Sequence, residues 1–247
     1  MDRRIDGILF DLGDTLLDFG QISVPKLFRS GAKLAYEYLR RMGQPLPRFR
    51  VYHRRQYWAI QWNYLKSRLT GREFNSLDLI TRLGRKIGQT LTDEQLIELA
   101  WLWYQPLRKR AAVEEGLPQM LADLRASGLT LGLVSNTFVP PQVLDRHLQQ
   151  EGMLDHLPLR VYSCQVGIRK PRAEIFQMAL QQAALTPSRT IFVGDSPRTD
   201  IVGANRVGMI SVLKDPTGRH INGRTKPSHM IRSILELPAI IDEYNRA

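Results

Sequence analysis

The sequence predicts an α/β protein: a mostly parallel sheet with helices on both faces, plus an inserted all-helical segment. Three observations carry that expectation. Short apolar runs alternate with stretches of helical spacing through most of the 247 residues, the pattern of right-handed strand–helix–strand crossovers. Several of the runs end in a chemically capable side chain, Phe10 in Asp11, Val134 in Ser135 and Gly194 in Asp195, which is where open α/β sheets place their ligands. Charge and aromatic content change abruptly between residues 18 and 112.

In chain order, residues 5–10 read as a buried strand ended by Gly13. Leu117, Leu121 and Leu124 give a helix over 117–127, stopped by Gly128. A strand over 129–135, a helix over 140–151, a strand over 159–163 that carries on to Cys164, and a helix over 173–184 follow. Residues 190–193 read as a strand, 200–207 as a short helix ended by Gly208, and 209–213 as the last clear strand. A loop rich in Gly, Pro and Arg leads to a helix expected near 229–235.

The segment between the first strand and residue 113 reads as helices alone. Leu27 through Leu39 recur at helical intervals before Gly43 and Pro45, and a second helix over 50–69 is halted by Gly71. Shorter helices fit 76–87 and 92–107, the latter opening with Thr92 as cap and Gln95 placed to return the bond. This segment holds 18 Lys and Arg against 7 Asp and Glu, while the rest of the chain is balanced. It therefore carries the whole net charge of +11, with all four tryptophans and six of the eight tyrosines. So sharp a shift argues for a separate structural unit.

Arg50 through Trp58 interleaves basic and aromatic residues. Such a run can bind nucleic acid or another polyanion, but an amphipathic helix also buries aromatics on one side and solvates arginines on the other. No nucleic-acid motif accompanies it, so the solvated face is expected, with His53 on the segment's surface. A basic unit could still steer a phosphorylated substrate.

Cys164 is the only cysteine, which excludes an intrachain disulfide and makes a reducing compartment the expectation. Arg3 and Arg4 precede an apolar stretch that Asp11 and Asp14 interrupt, unlike a secretory signal. No apolar run is long enough to cross a bilayer. A cytoplasmic protein with no membrane partner is expected; oligomeric state and substrate identity are not legible.

Ile8-Leu9-Phe10-Asp11-Leu12-Gly13-Asp14-Thr15, Leu133-Val134-Ser135-Asn136, Lys170-Pro171, and Val193-Gly194-Asp195-Ser196 with Asp200 behind form an ordered set. The set resembles the four motifs of the haloacid dehalogenase-like hydrolases, and the resemblance covers the chain outside roughly 18–112. It implies a Rossmann-like catalytic core over 1–17 and 113–247 and a helical cap over 18–112. Asp11 would be a nucleophile that becomes an aspartyl-phosphate. Thr15, Ser135, Asn136 and Lys170 would line the phosphoryl group, Asn136 chiefly as a turn residue. Lys170 would hold Asp11 ionised and neutralise charge on the transferring group. Arg169 reads as a surface residue or a substrate contact. Asp11, Asp195 and the Gly13 carbonyl would bind Mg²⁺, with Asp200 in support or capping a helix.

One position departs from the pattern. Phosphatases of this superfamily carry a second aspartate two residues after the nucleophile, as general acid and base. Gly13 stands there, and Asp14 is displaced by one residue, which changes the direction of its side chain. Asp14 is thus a candidate catalytic residue but no automatic substitute. The retained Asp195 and Asp200 favour a Mg²⁺-dependent phosphatase acting on a small phosphomonoester. Dehalogenase-like chemistry and phosphonate cleavage using a lid lysine (Lys26, Lys33, Lys66 or Lys86) are the enzymatic alternatives. The remaining one is a weakly active protein whose basic cap binds a polyanion.

Overall fold

The computed structural model describes residues 5–220 and 223–246; Arg3 and Arg4 lie outside the described residues. Among the described residues, six strands form one parallel sheet: β1 (Gly7–Phe10), β2 (Thr130–Ser135), β3 (Leu159–Tyr162), β4 (Thr190–Gly194), β5 (Ile210–Lys214) and β6 (His229–Ile231). Their order is β3-β2-β1-β4-β5-β6. β1 pairs with β2 on one side and β4 on the other, so Phe10 lies beside both Leu133 and Val193. The strand order reverses at β1, which opens a crevice beyond its carboxyl end.

All four residues of β1 and all five of β4 are buried, as expected of parallel strands covered on both faces. Their side chains alternate between two cores. Ile8, Phe10, Ile191 and Val193 face a layer shared with α5 (Leu117–Ala126), α6 (Pro141–Gln150) and α10 (Leu237–Arg246). Leu9 and Phe192 face α8 (Ala173–Gln182) and α9 (Val202–Arg206) on the other side.

Between β1 and α5 the chain forms α1 (Val24–Arg41), α2 (Phe49–Thr70), α3 (Ser76–Arg85) and α4 (Asp93–Arg108). The Thr92–Gln95 capping box is formed as the sequence predicts, and Gly71 ends α2 in the left-handed region at φ 68°. Ala32, Ala35, Leu39, Tyr52, Ile80 and Leu99 make a core of their own. Trp101 and Tyr104 of α4 pack instead with the sheet's core. Where the chain leaves and re-enters the sheet layer, Asp18 and Ala112 exchange both backbone hydrogen bonds, at 2.9 and 2.7 Å. Among the described residues no helix is long and apolar enough to cross a membrane.

Several expectations need correction. His229–Ile231 is an edge strand paired with β5, not a helix; helical structure begins later, as a 3-10 turn at Ile234–Glu236 that leads into α10. Three residues are too few to show a period, so the ladder with Val212–Lys214 decided the conformation. Cys164 is not on a strand; it lies in a one-turn helix, α7 (Ser163–Val166), which Gly167 stops at φ 71°. Burial pushes its thiol up to about 12. The expected helix at 200–207 begins earlier as a π-turn over Pro197–Ile201, so Asp200 sits inside a turn and caps no helix. Aromatic burial in the basic segment is also incomplete. Tyr52 and Trp101 are buried, but Trp58 and Trp62 are 64% and 69% exposed on α2, with Leu65 and Leu69 exposed beside them. His53 is half-buried, stacked on Phe49 and tilted against Tyr57.

Candidate active site

The polar ends of β1, β2 and β4 converge in the crevice. Asp11 continues β1, its N–H donating to the Val193 carbonyl at 2.8 Å. Lys170 reaches it from the loop before α8: Nζ donates to Asp11 Oδ1 at 2.6 Å and to Asp200 Oδ1 at 2.7 Å. The three side chains are buried. Burial opposes the Lys170 ammonium, but Asp11 and Asp200 outweigh it and raise its pKa. Lys170 is therefore a fixed cation, lying 5.2 Å from the centre of the Phe192 ring.

Asp11, Asp195 and Asp200 can each offer an oxygen within 4.8 Å of the other two. Burial pushes the Asp11 carboxyl up to about 6, against Lys170, with Asp200 adding to the rise. Burial likewise lifts Asp195 to about 7, reinforced by Asp11, Asp200 and Asp14. One ammonium does not balance this many acids. An all-oxygen donor set with surplus negative charge fits a hard divalent cation.

Two devices bring Asp200 in. The π-turn folds it back so that Oδ2 accepts the Ser196 N–H at 3.0 Å. Gly194 leaves it room, since a Cβ there would stand 2.5 Å from Asp200 Cβ and Cγ.

The loop after β1 is tightly wound. Leu17 N donates to Leu12 O at 2.9 Å and Asp14 N to Leu17 O at 2.7 Å. Asp14 adopts φ 56°, a conformation Asp tolerates better than most residues. Its Oδ1 accepts the Phe19 N–H at 3.1 Å. Thr15 is fully buried, and its hydroxyl has no hydrogen-bond partner among the described residues. A buried unpaired hydroxyl is uncommon and points to a ligand or water.

Ser135 ends β2 and is buried. Asn136 braces the Lys170 loop: Nδ2 donates to the Lys170 carbonyl at 3.0 Å, and Oδ1 accepts the Lys170 N–H at 2.8 Å. Arg169 is no surface residue. Its Nη1 lies 3.1 Å from Glu73 Oε2 and donates to Ser67 Oγ at 2.8 Å.

Two residues escaped the sequence reading. Glu73, from the segment joining α2 to α3, also accepts from Ser163 Oγ at 3.2 Å. Ser163 Oγ in turn accepts the Thr137 N–H at 2.8 Å, so Glu73 supports both the Ser135 and the Lys170 loops. Nothing in the sequence marked it beyond being an acid in a basic segment. Buried Lys214 donates from Nζ to the Thr15 carbonyl at 2.8 Å. A charged residue closing an apolar strand, the signal that picked out Asp11, was legible there too.

Comparison with known proteins agrees with this geometry. The family model for haloacid dehalogenase-like hydrolases matches residues 5–208. The chain is 30% identical over 144 residues to a phosphoserine phosphatase of Thermus thermophilus, a match covering 58% of this chain and 57% of that protein. It is 30% identical over 127 residues to the Escherichia coli pyrimidine 5'-nucleotidase YjjG, covering 51% of this chain and 55% of that protein. The chain thus spans a little over half the length of these relatives. Among solved structures, a 2-haloacid dehalogenase of Pseudomonas syringae superposes with TM-score 0.67 at 22% identity, over 97% of this chain and 99% of that one. A phosphatase of Thermococcus onnurineus superposes with TM-score 0.61 at 23% identity, over 96% and 98%. Both structural likenesses speak to the fold. Family match, sheet order and converging motifs agree, and the chain belongs to the haloacid dehalogenase-like hydrolases.

Proposed function

We propose that the protein is a Mg²⁺-dependent phosphatase of small phosphorylated substrates, working through an aspartyl-phosphate on Asp11. The observation that carries this is the Asp11–Lys170–Asp200 arrangement with Asp195 beside it. A site that only displaced halide would have no use for two further carboxylates around its nucleophile, Asp200 buried and Asp195 half-buried.

Asp11, Asp195 and the Gly13 carbonyl would hold the cation, with Asp200 supporting them. When bound, it supplies positive charge that offsets the carboxylates and the phosphoryl oxygens. Asp11 supplies the attacking oxygen. Lys170 keeps that carboxylate oriented and stabilises charge on the phosphoryl group. Ser135 and the unpaired Thr15 hydroxyl donate to phosphoryl oxygens. Asn136 serves by holding the Lys170 backbone. In the same reading, residues 1–17 and 113–247 form the catalytic core and 18–112 a cap, whose excess of basic residues draws anionic substrates toward the crevice. A cytoplasmic location belongs with it, supported by a single, buried cysteine.

The test is phosphate release from a panel of phosphate esters with Mg²⁺ and with chelator, beside Asp11→Asn. Release that needs Mg²⁺ and disappears in Asp11→Asn is expected. Halide release from a 2-haloacid without Mg²⁺, and no phosphate release, would move the assignment to a dehalogenase.

Exposed Trp58 and Trp62, next to Arg54 and Arg55, favour a second role for α2 in meeting a polyanion. Salt-sensitive retention on heparin, weakened by Trp58→Ala with Trp62→Ala, is the corresponding expectation.

A further inference from the structure

We infer that this site is specialised for phosphate compounds whose leaving oxygen departs without a proton, namely acyl and aryl phosphates rather than alkyl esters. The inference rests on the phosphatase reading and narrows it to a substrate class.

Three features around Asp11 carry it. Gly13 has no side chain to donate a proton, and the edge of the Phe19 ring lies against it at ordinary contact distance. A Cβ at residue 13 would find Phe19 Cε2 at 3.5 Å and Cδ2 at 4.0 Å. Gly13 is not among the glycines at positive φ, whereas Asp14 next to it is at 56°. The backbone would therefore accept a side chain at residue 13, yet the sequence leaves it bare and lays an aromatic ring edge over it.

One oxygen of the neighbouring carboxylate is tied into the loop. Asp14 Oδ1 accepts the Phe19 N–H at 3.1 Å. That bond anchors the residue whose ring covers Gly13, which makes Asp14 a positioning residue for Phe19.

The other acids near Asp11 are also committed. Asp195 and Asp200 belong to the carboxylate cluster, and Lys170 is held between Asp11 and Asp200. His53, His147 and His229 pack elsewhere, against Phe49, Tyr104 and Tyr244.

The chemistry follows. An Asp11 oxygen bonds to phosphorus as the bond to the leaving oxygen breaks, and the electron pair stays on that oxygen. An alkoxide formed this way is strongly basic and needs a proton as it leaves. A carboxylate or a phenolate does not. In the second half, a water oxygen attacks phosphorus, the bond to Asp11 breaks, and the Asp11 carboxylate returns. The water's protons leave on the phosphate or pass to solvent. Positioned acid–base groups contribute roughly 10²–10⁴-fold to such steps, and alkyl esters forfeit that factor here.

The experiment is kcat/KM of the Mg²⁺-loaded enzyme for phenyl phosphates with substituted rings, with acetyl phosphate and glycerol phosphate as the extremes. A steep rise with leaving-group acidity is expected, with glycerol phosphate at least about 10²-fold below the most activated aryl ester. A flat series, with the alkyl ester within tenfold of the aryl ones, would overturn the inference and restore Asp14 as a proton donor. A Gly13→Asp, Phe19→Ala double substitution is expected to flatten the series and raise alkyl turnover. A folded double variant with the native slope would count against the inference. The native series decides the question if that variant does not fold. Failure of the phosphatase reading looks different: no phosphate from any compound, acetyl phosphate included.

Discussion

Glu73 and Arg169 form an ion pair across the boundary between the helical segment and the Lys170 loop, Oε2 to Nη1 3.1 Å apart. The Glu73 side chain is 1% exposed and that of Arg169 12%. Two elements far apart in sequence are thereby locked together one residue from Lys170, whose ammonium meets Asp11.

Glu73→Ala leaves a largely buried guanidinium without its partner, and breaking one side of such a pair costs about 3–5 kcal/mol. Chemical denaturation should show a loss in that range, and kcat should fall because the Ser135 and Lys170 loops lose a shared support. Glu73→Gln, which retains the acceptor oxygen toward Ser163, should recover part of both.

Gly194→Ala places a methyl where Asp200 Cβ and Cγ would be 2.5 Å away. Overpacking of this kind costs about 1–3 kcal/mol, and the relief available is to push Asp200 off Lys170 and off the Ser196 N–H. A lowered melting temperature together with weakened Mg²⁺ affinity is expected. A crystal structure of the variant would show the displaced carboxylate directly.

Mg²⁺ should stabilise the protein against thermal unfolding. At tenfold excess over its Kd the linkage amounts to about 1.4 kcal/mol. Chelator should reverse the shift, and Asp195→Asn should abolish it while leaving the far-ultraviolet circular dichroism unchanged. Differential scanning calorimetry with Mg²⁺, Ca²⁺ and chelator reads all three.

His147 gives stability a pH dependence away from the site. It is fully buried, with Nδ1 2.9 Å from the Tyr104 hydroxyl and Nε2 3.6 Å from Glu151 Oε1. Burial, aided by the Arg108 charge, lowers its pKa to about 4 from the ordinary 6.5. The unfolded chain therefore takes up this proton first. The contribution of His147 is fully present above pH 6.5 and lost progressively as pH falls from there toward 4, by ~2 kcal/mol at pH 5. Asp11 and Asp195, lifted to about 6 and about 7, titrate over the same interval with the opposite sign, so the slope is read from the difference between the protein and His147→Leu in urea titrations at pH 8, 6.5 and 5.

The sequence by itself determined the layered α/β class, the helical insertion, the capping box at Thr92 and the identity of Asp11, Lys170, Asp195 and Asp200. The class, the insertion and the capping box are written in local signals, apolar runs long enough to show a period and caps, whereas the four side chains were marked by the order of their motifs and the family resemblance that order carries. Tertiary structure decided what depends on neighbours distant in the chain. His229–Ile231 became a strand because β5 offered an open edge. Asp200 left the helix-cap role because the π-turn over Pro197–Ile201 takes it inside the turn, with Gly194 leaving room for its side chain. Arg169 moved from surface to ion pair because Glu73 arrived from a segment 96 residues earlier. Gly13 was visible as a departure from the family pattern, but what fills the space above it was not. The Phe19 ring reaches that place because the loop after β1 folds back and Asp14 holds the Phe19 N–H, a closure that no local periodicity encodes.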